Sequence, residues 1–304
     1  YDTLNERQLE AVMHTEGPLS VTAGAGSGKT RVLIGRLQSL LEQGEDPGRI
    51  LALTFTRRAA AELRQRLTTA LPDMPNPPLC DTLHGLAWRL RQTNAAASPL
   101  LLDEDAAHRL FCAANPQLSP ATARRLWGML LLARETHSLH NEPAHSPLAQ
   151  AAANYRQAKD AGSCPRMDYA DLLDWLLDAA RQKHMQGRIG FFRHVLVDEV
   201  QDLSPVQLDI IRALLPADGQ GFFGIGDPDQ AIYGFRGAAG QNEESLRRHW
   251  PGLEVFRLGR SYRSSQSVLD MARSLLHGQN SCGPLTAARS LPAELRLFAA
   301  PDAQ

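Results

Sequence analysis

Short apolar runs alternate along this chain with segments in which apolar residues recur at helical spacing. The runs contain few polar positions, which is typical of strands buried on both faces of a parallel sheet. They cover 19–21, 50–55, 79–82, 194–197, 222–225 and 253–258, and a further candidate lies at 294–298. Helical spacing at 32–41, 57–69 and 266–276 predicts helices between these strands or after them. The alternation predicts an α/β fold with a parallel sheet and flanking helices.

The stretch from 94 to 188 differs from its surroundings. Alanine, leucine and helical periods dominate it, and several prolines interrupt it. We interpret it as an all-helical insertion into the sheet-forming chain. The predicted organisation is a sheet domain built from 1–93 and 189–257, with the insertion at 94–188 between its two parts.

Composition excludes several classes of protein. No apolar run reaches the ~18 residues of a membrane span, and no signal-peptide pattern opens the sequence, so we expect a cytoplasmic protein without a membrane partner. The four cysteines are far apart and form no C-x-x-C pair, which argues against a zinc site or a disulfide framework. A formal net charge of −1 argues against nucleic-acid binding over the whole surface but allows a local groove.

A glycine-rich loop joins the first predicted strand to the next helix. Three glycines, at 24, 26 and 28, allow the backbone to approach an anion closely, and the helix N-terminus directs free N–H groups toward it. Lys29 adds a positive charge, and the hydroxyl of Thr30 is placed to bind Mg²⁺. The strict pattern has glycine where this chain has Ala23, and a small residue suffices there. The alternative is a glycine-rich turn with an accidental lysine, but the strand, loop and helix follow in the required order.

Two acids follow the apolar run at 194–197. Asp198 is suited to hold Mg²⁺, directly or through water, and Glu199 is suited to polarise an attacking water. Acids at strand ends are also common in surface turns, so this pair gains its meaning from the phosphate loop upstream.

The segment after the run at 222–225 joins polar groups to aromatic ones. Asp227 and Gln230 could sense a γ-phosphate, and Tyr233 and Phe235 could stack on single-stranded bases, with the cationic Arg236 beside them. The alternative places both rings in the core beneath a glycine loop.

Seven ordered segments together resemble the UvrD/Rep/PcrA group of superfamily 1A DNA helicases, over the chain from Leu4 to about Ser265. They are Leu4-Asn5-x-x-Gln8, the loop 23–30, Leu53-Thr54-Phe55-Thr56, Thr82-x-His84, Asp198-Glu199-Val200-Gln201-Asp202, 226–237 and Tyr262-Arg263-Ser264. The resemblance implies a RecA-like parallel sheet for 1–93 and 189–257 (1A-like), a helical insertion at 94–188 (1B-like), and the start of a truncated second RecA-like domain at 258–304 (2A-like).

The resemblance also implies a role for each site residue. ATP and Mg²⁺ are the implied cofactors, with Glu199 as catalytic base and with Gln230 and Arg263 on the γ-phosphate. The implied ATP-binding residues are Gln8, Ala23, Gly24, Ala25, Gly26, Ser27, Gly28, Lys29, Thr30, Arg36 and Tyr262, and Thr30 and Asp198 are the implied Mg²⁺ ligands. The implied path for single-stranded DNA is formed by Phe55, Thr56, Arg57, Thr82, His84, Tyr233, Phe235 and Arg236.

The implied function is that of an ATP-dependent single-stranded DNA translocase or helicase with 3′→5′ polarity, acting on single strands or single/double-strand junctions in replication, repair or recombination. Later family motifs have no counterpart before Gln304, so we expect an incomplete, weakly active motor whose partners are the remaining carboxyl-terminal helicase domains. The family usually has phenylalanine at Val200, tryptophan at Phe235 and an aromatic residue near Leu86, which predicts weaker stacking here. Alternatives are a non-motor ATP-binding regulatory module and the helicase part of a helicase–nuclease.

Overall fold

The computed structural model of the chain describes residues 4–72, 74–94, 99–161, 164–182, 192–231, 243–276 and 281–290. Its centre is a six-stranded sheet of β1 (Leu19–Ala23), β2 (Ile50–Leu53), β3 (Leu79–Asp81), β6 (His194–Asp198), β7 (Phe222–Gly226) and β8 (Glu254–Leu258). The strand order is β3-β2-β6-β7-β1-β8, and all neighbouring strands are parallel. The predicted α/β class is confirmed.

Helices cover both faces of this sheet. Those outside the insertion are α1 (Glu6–Met13), α2 (Lys29–Glu42), α3 (Arg57–Ala70), α4 (Leu83–Asn94), α9 (Pro205–Leu214), α10 (Glu243–His249) and α11 (Gln266–Leu275). Strand β2 shows how its sequence serves two faces: Leu51 and Leu53 belong to the core cluster on one face, and Ile50 and Ala52 to the cluster on the other. Successive strand residues point to opposite faces, so a continuous apolar run is needed to bury both.

The insertion has a small core of its own. It contains α5 (Glu104–Ala114), α6 (Pro120–Glu135), α7 (Pro147–Asp160) and α8 (Tyr169–Arg181), with a two-stranded parallel pair of β4 (Leu100–Leu101) and β5 (Arg166–Met167). Phe111, Trp127 and Tyr155 are in mutual ring contact, with centroids 5.3–5.8 Å apart. These rings join α5, α6 and α7 into one packed unit.

Helix α8 packs differently from the rest of the insertion. Its buried Leu172, Leu173 and Leu176 belong to the same hydrophobic cluster as Val195 and Val197 of the sheet. The division of the chain at 188 stays a prediction, but the packing shows that α8 shares its core with the sheet.

The sequence runs and the observed elements agree closely in most places. The run at 253–258 corresponds to β8, and the helix expected at 266–276 to α11. Two very short strands after β8, β9 (Arg260–Ser261) and β10 (Thr286–Ala287), pair in parallel and were not predicted. The candidate strand at 294–298 lies outside the described residues. Within the described part of the chain, no helix is long and apolar enough to cross a membrane.

Candidate nucleotide and nucleic-acid site

The predicted phosphate loop runs from the end of β1 to the start of α2. Gly26 and Gly28 have φ values of +76° and +88°, a left-handed conformation that strains any other L-residue. Gly28 is the N-cap of α2, and Lys29 is its first helical residue. The N–H of Ser27 donates to the Gly24 carbonyl at 3.1 Å and closes the turn. The loop therefore presents a helix N-terminus and a lysine together, as an anion-binding site requires.

One buried hydroxyl supports the fit of a polyphosphate to this loop. Ser27 is 1% exposed, and its Oγ has no hydrogen-bond partner among the residues that the structure describes. A buried polar atom without a partner costs free energy unless a ligand satisfies it. A phosphate oxygen bound in the loop would supply the missing partner.

Lys29 contacts the acid pair across the edge of the sheet. Its Nζ donates to Oε2 of Glu199 at 3.0 Å. Glu199 follows the last residue of β6 and has φ +53°, one of two positive values among the described non-glycine residues. Such a conformation costs about 1–3 kcal/mol and is found preferentially at functional sites. The structure therefore brings together the lysine and the acid that the sequence assigned to one site.

Two carboxylates at this edge, those of Asp198 and Asp202, ionise less readily than a free aspartate. Burial raises the pKa of Asp198 to about 6, and the neighbouring charge of Glu199 adds to the shift. Asp202 has the same two causes and the same pKa of about 6. A bound cation would relieve this cost, and the carboxylate of Asp198 and the hydroxyl of Thr30 are the oxygen ligands that Mg²⁺ prefers. The donor set at the loop and the strand end thus fits the predicted Mg²⁺.

Residues predicted to sense the γ-phosphate lie at the end of the neighbouring strand β7. The amide of Gln230 donates to the carboxylate of Asp227, whose Oδ1 also accepts from the N–H of Asp229 at 3.2 Å. Burial raises the pKa of Asp227. The predicted DNA-binding residues farther along this loop, Tyr233, Phe235 and Arg236, lie outside the described residues.

The side chain predicted to read adenine is engaged within the protein at both ends. Oε1 of Gln8 accepts from the N–H of Asn5 at 2.9 Å, and its Nε2 donates to the Ser27 carbonyl at 2.8 Å. Gln8 is fully buried. In this arrangement the side chain of Gln8 joins Asn5 to the backbone of the phosphate loop at Ser27. Its contact with an adenine base stays a prediction.

The segment that follows β8 reaches the same loop. Tyr262 accepts a hydrogen bond through its hydroxyl from Asn5 Nδ2 at 2.7 Å, and its N–H donates to the Gly26 carbonyl at 2.8 Å. A Cβ added at Gly26 would lie only 2.6 Å from the Cβ of Arg263. Tyr262 and Arg263, which were predicted to contact base and γ-phosphate, are therefore adjacent to the loop.

Arg36 has a different environment from the one expected of a nucleotide-binding residue. Its Nη1 donates to the Val12 carbonyl at 2.9 Å, and its guanidinium lies 6.0 Å from the Phe223 ring centroid. Burial lowers its pKa to about 10. The contacts described for Arg36 are with the core. Arg31, one residue after Thr30, is exposed, and its Cβ lies 3.9 Å from a Cβ added at Gly28.

A cleft of about 220 Å³ joins the acid pair to part of the predicted DNA path. Its lining includes Phe55, Thr82, His84, Asp198, Glu199 and Asp202. Phe55 is half-buried, and the His84 ring makes an edge contact with Tyr169 at 5.6 Å between centroids. Burial, assisted by Arg57, lowers the pKa of His84 to about 4, so this ring is neutral at pH 7.

Two of the predicted DNA-path residues begin the helix beside this cleft. Thr56 is the N-cap of α3 and accepts through its side chain from the N–H of Ala59, and Arg57 is the first helical residue. Both are exposed. Their place at the carboxyl edge of β2 agrees with a role in contacting a ligand there, which stays a prediction.

Two of the departures from the family pattern concern buried positions. Val200 is 4% exposed, and its Cγ2 lies 3.1 Å from a Cβ added at Gly224 in β7. Leu86 is 1% exposed in the core of the sheet. These two side chains pack inside the protein, so neither is placed for stacking on a base.

Two residues beside the site, Asn5 and Gln201, had no role assigned from the sequence, although both stand in segments that carry the family resemblance. Asn5 donates to the Tyr262 hydroxyl, and Gln201 accepts from the N–H of Asp227. These partners are 257 and 26 positions away in the sequence, so no local pattern indicates either contact.

The parallel sheet, with a glycine-rich loop and an acid pair at one edge, agrees with the comparison with known proteins. The family model for the UvrD/REP helicase N-terminal domain matches residues 4–251. The chain belongs to this family.

Several curated relatives are similar over nearly the whole chain. DNA helicase II of Escherichia coli (strain K12) is 35% identical over 301 residues, which cover 92% of this chain and 41% of the relative. ATP-dependent DNA helicase UvrD1 of Mycobacterium bovis is 33% identical (90% and 39%), and ATP-dependent DNA helicase PcrA of Leuconostoc citreum is 31% identical (92% and 40%). The chain spans about two-fifths of the length of these relatives.

Proposed function

We propose that this chain is the ATP-hydrolysing amino-terminal part of a single-stranded DNA translocase or helicase with 3′→5′ polarity. The observation that carries the proposal is the contact of 3.0 Å between Lys29 and Glu199, which joins the phosphate loop to the acid pair. The cleft beside it is lined by Phe55, Thr82 and His84, so hydrolysis and a strand of DNA would share one edge of the sheet. The relatives named as ATP-dependent DNA helicases support the same function.

The roles follow from the chemistry of the side chains. Lys29 and the glycine-loop N–H groups bind the phosphates, and Thr30 and Asp198 hold Mg²⁺, which neutralises phosphate charge when bound. Glu199 accepts a proton from the attacking water. In the described arrangement Glu199 is paired with Lys29, and phosphate oxygens would compete for that lysine. Binding of the nucleotide would therefore release Glu199 from its pairing with Lys29, so that its carboxylate can accept the proton of the attacking water.

Gln230 and Arg263 complete the proposed site around the γ-phosphate. Arg263 lies on the segment after β8, so its distance from the phosphate loop depends on how that segment is held. We propose that carboxyl-terminal helicase domains, which the family resemblance implies, supply an opposing wall. The chain by itself should then bind ATP weakly and hydrolyse it slowly.

Two substitutions test the hydrolytic role. Lys29→Ala should abolish detectable ATP binding, because it removes the cation of the loop. Glu199→Gln should leave ATP affinity within about threefold and slow single-turnover hydrolysis by about 10²–10⁴-fold, the usual contribution of a general base.

ATP binding is measured with a fluorescent ATP analogue, and hydrolysis with the chain in excess over ATP, with and without single-stranded DNA. The control is Glu62→Gln, which alters an exposed pair with Arg66. An ATP-binding chain with no hydrolysis, in isolation or joined to its carboxyl-terminal domains, would favour a non-motor module.

Two further substitutions test the DNA path. Tyr233→Ala and Phe235→Ala should each weaken binding of an oligothymidylate by about 1–3 kcal/mol if the ring stacks on a base. Basal ATP hydrolysis should stay unchanged, because neither ring is proposed to contact the nucleotide. Fluorescence anisotropy measures the affinity, and thermal unfolding distinguishes the outcomes. An unchanged affinity with a lowered melting temperature would assign both rings to the core.

A further inference from the structure

Gln201 lies buried between the ends of strands β6 and β7 and is 1% exposed. It follows the acid pair by two residues, in the short turn 200–202. Its side-chain amide has partners at both ends: Glu199 and Asp202 at the nitrogen, and Asp227, which directly follows β7, at the oxygen. A buried amide with both ends engaged fixes the relative position of the groups that it joins.

The donor end of this amide faces the proposed catalytic base. Nε2 of Gln201 donates to Oε2 of Glu199 at 3.0 Å and to Oδ2 of Asp202 at 3.4 Å. The same Glu199 oxygen accepts from Lys29 at 3.0 Å. If Lys29 donates to phosphate oxygens instead, Gln201 is the described hydrogen-bond donor that still orients the Glu199 carboxylate.

The acceptor end faces the loop proposed to sense the γ-phosphate. Oε1 of Gln201 accepts from the N–H of Asp227 at 3.0 Å, and the Asp227 carboxylate in turn holds the amide of Gln230. A carboxylate can only accept and an N–H can only donate, so these partners determine which way the amide points. A Cβ at Gly226 would overlap Oε1 of Gln201, and glycine at 226 makes the approach possible.

We propose that Gln201 is a positioning residue that holds Glu199 and the 227–230 loop as one unit. The inference rests on the proposed ATP hydrolysis. It adds the contact that fixes the position of Glu199 relative to the γ-phosphate-sensing loop. Gln201 contacts neither Lys29 nor the phosphate loop in the hydrogen bonds described. Its loss should therefore affect the hydrolytic step more than the binding of ATP.

Two substitutions separate the two ends of the amide. Gln201→Glu keeps an oxygen for the Asp227 N–H but places a second carboxylate against Glu199, and one of two such neighbours is driven to bind a proton. Gln201→Met keeps the length and removes both hydrogen bonds. We expect each to slow single-turnover ATP hydrolysis by about 10–100-fold, because small displacements of catalytic groups have effects of this size. ATP affinity should stay within about threefold. In a Glu199→Gln background, Gln201→Met should slow hydrolysis no further.

Hydrogen exchange at the Asp227 amide provides a readout that is independent of activity. Protection of this amide should be lost in Gln201→Met and retained in Gln201→Glu, measured on the 304-residue chain without nucleotide. The matched control is Gln220→Glu, because Gln220 also joins two backbone groups, Gly17 N–H and Thr15 carbonyl, away from the site.

The outcomes separate this inference from the proposed function. If the wild-type chain fails to hydrolyse ATP even when joined to its carboxyl-terminal domains, the proposed function fails, and the positioning of a base fails with it. If the wild type hydrolyses ATP and both Gln201 variants match it, Gln201 has no positioning role. Equal losses of ATP affinity and of hydrolysis would also overturn the proposal, because they indicate a general structural defect. Unchanged protection of Asp227 in Gln201→Met would overturn the link to the loop.

Discussion

At the edge of the sheet, Lys29 faces the carboxylates of Asp198, Glu199 and Asp202, and burial raises the pKa of two of them to about 6. In the insertion, Arg134 and Lys159 hold Asp168 between them with contacts of 3.0 and 3.1 Å. Burial alone would raise the pKa of Asp168, but these two cations hold it well below its usual range. We call the first group the edge cluster. The second, the insertion cluster, consists of Tyr155, Arg134, Lys159, Asp168, Asp171 and Asp174.

The difference separates a group of charges that builds structure from one suited to bind a ligand. The insertion cluster pairs its charges internally and joins helices α6, α7 and α8. The edge cluster leaves acids only partly compensated at the border of an open cleft. Such a site gives up stability in its unliganded form and recovers it when a cation and its phosphates bind.

The largest effect on stability is expected from breaking the insertion cluster. Arg134→Met keeps the apolar stem and removes a guanidinium that contacts Asp168, Asp171 and Asp174. The buried Asp168 and the partly buried Asp171 then lose a cation inside the protein, whereas Asp174 is half exposed. The free energy of unfolding should fall by about 3–5 kcal/mol. Urea unfolding measures it.

The control for this prediction is a pair on the surface. Arg66→Met breaks the exposed contact with Glu62, and we expect a loss below about 1 kcal/mol. Similar losses in the two variants would mean that the insertion cluster contributes no more than a surface ion pair, and the contrast between the clusters would disappear.

A smaller effect of opposite sign is expected from the edge cluster. Asp202 is 8% exposed, and its Oδ1 has no hydrogen-bond partner within the described ranges. Its pKa is raised from 3.8 to about 6, so its contribution to stability is present below pH 3.8 and is lost as the pH rises through 6. Asp202→Asn removes this cost and should stabilise the chain by about 1–3 kcal/mol at pH 7.

The pH dependence identifies the cause of that gain. At pH 4 the wild-type carboxyl is mostly protonated in the folded state, so Asp202→Asn should change stability little there. Melting temperatures at pH 4 and pH 7, for both proteins, measure the difference. A loss of stability of equal size at both pH values would show that the carboxylate is well partnered, contrary to our account of the edge cluster.

The sequence allowed the fold and the edge cluster to be predicted, and it left the insertion cluster unseen. A glycine-rich loop with a lysine, followed later by paired acids at a strand end, is a pattern typical of phosphate and Mg²⁺ binding. Parallel strands bring their carboxyl ends to one edge of the sheet, so these residues were expected to lie together. The pairing of Arg134 with Asp168 depends instead on how α6 meets α8. Helical periodicity predicts each helix but not its neighbour, so this contact left no pattern to read. For the same reason, periodicity could not predict that α8 packs into the hydrophobic core of the sheet.

The contacts around the phosphate loop show the same limit at longer range. Asn5 and Tyr262 are 257 positions apart, and their hydrogen bond exists only because β8 lies next to β1. Gln8 carried a signal for base recognition, yet its described partners are the Asn5 N–H and the Ser27 carbonyl. A sequence motif can indicate which residues bind a ligand. Only the tertiary structure shows which of their side chains already form hydrogen bonds within the protein.

A last comparison concerns two tyrosine hydroxyls, one from each region. Tyr155 donates to the Asp168 carboxylate at 2.9 Å inside the insertion cluster, and Tyr262 accepts from Asn5 at 2.7 Å beside the phosphate loop. Tyr155→Phe removes a buried hydrogen bond to a charged group and should cost about 1.5–3 kcal/mol, whereas Tyr262→Phe removes a neutral, half-buried one and should cost about 0.5–1.5 kcal/mol. Both substitutions keep the ring, and urea unfolding measures both. Asn5→Ser keeps the helix cap and loses the donor, so its combination with Tyr262→Phe should be less than additive. An additive result would mean that the hydrogen bond between Asn5 and Tyr262 does not help to hold the segment after β8 at the loop.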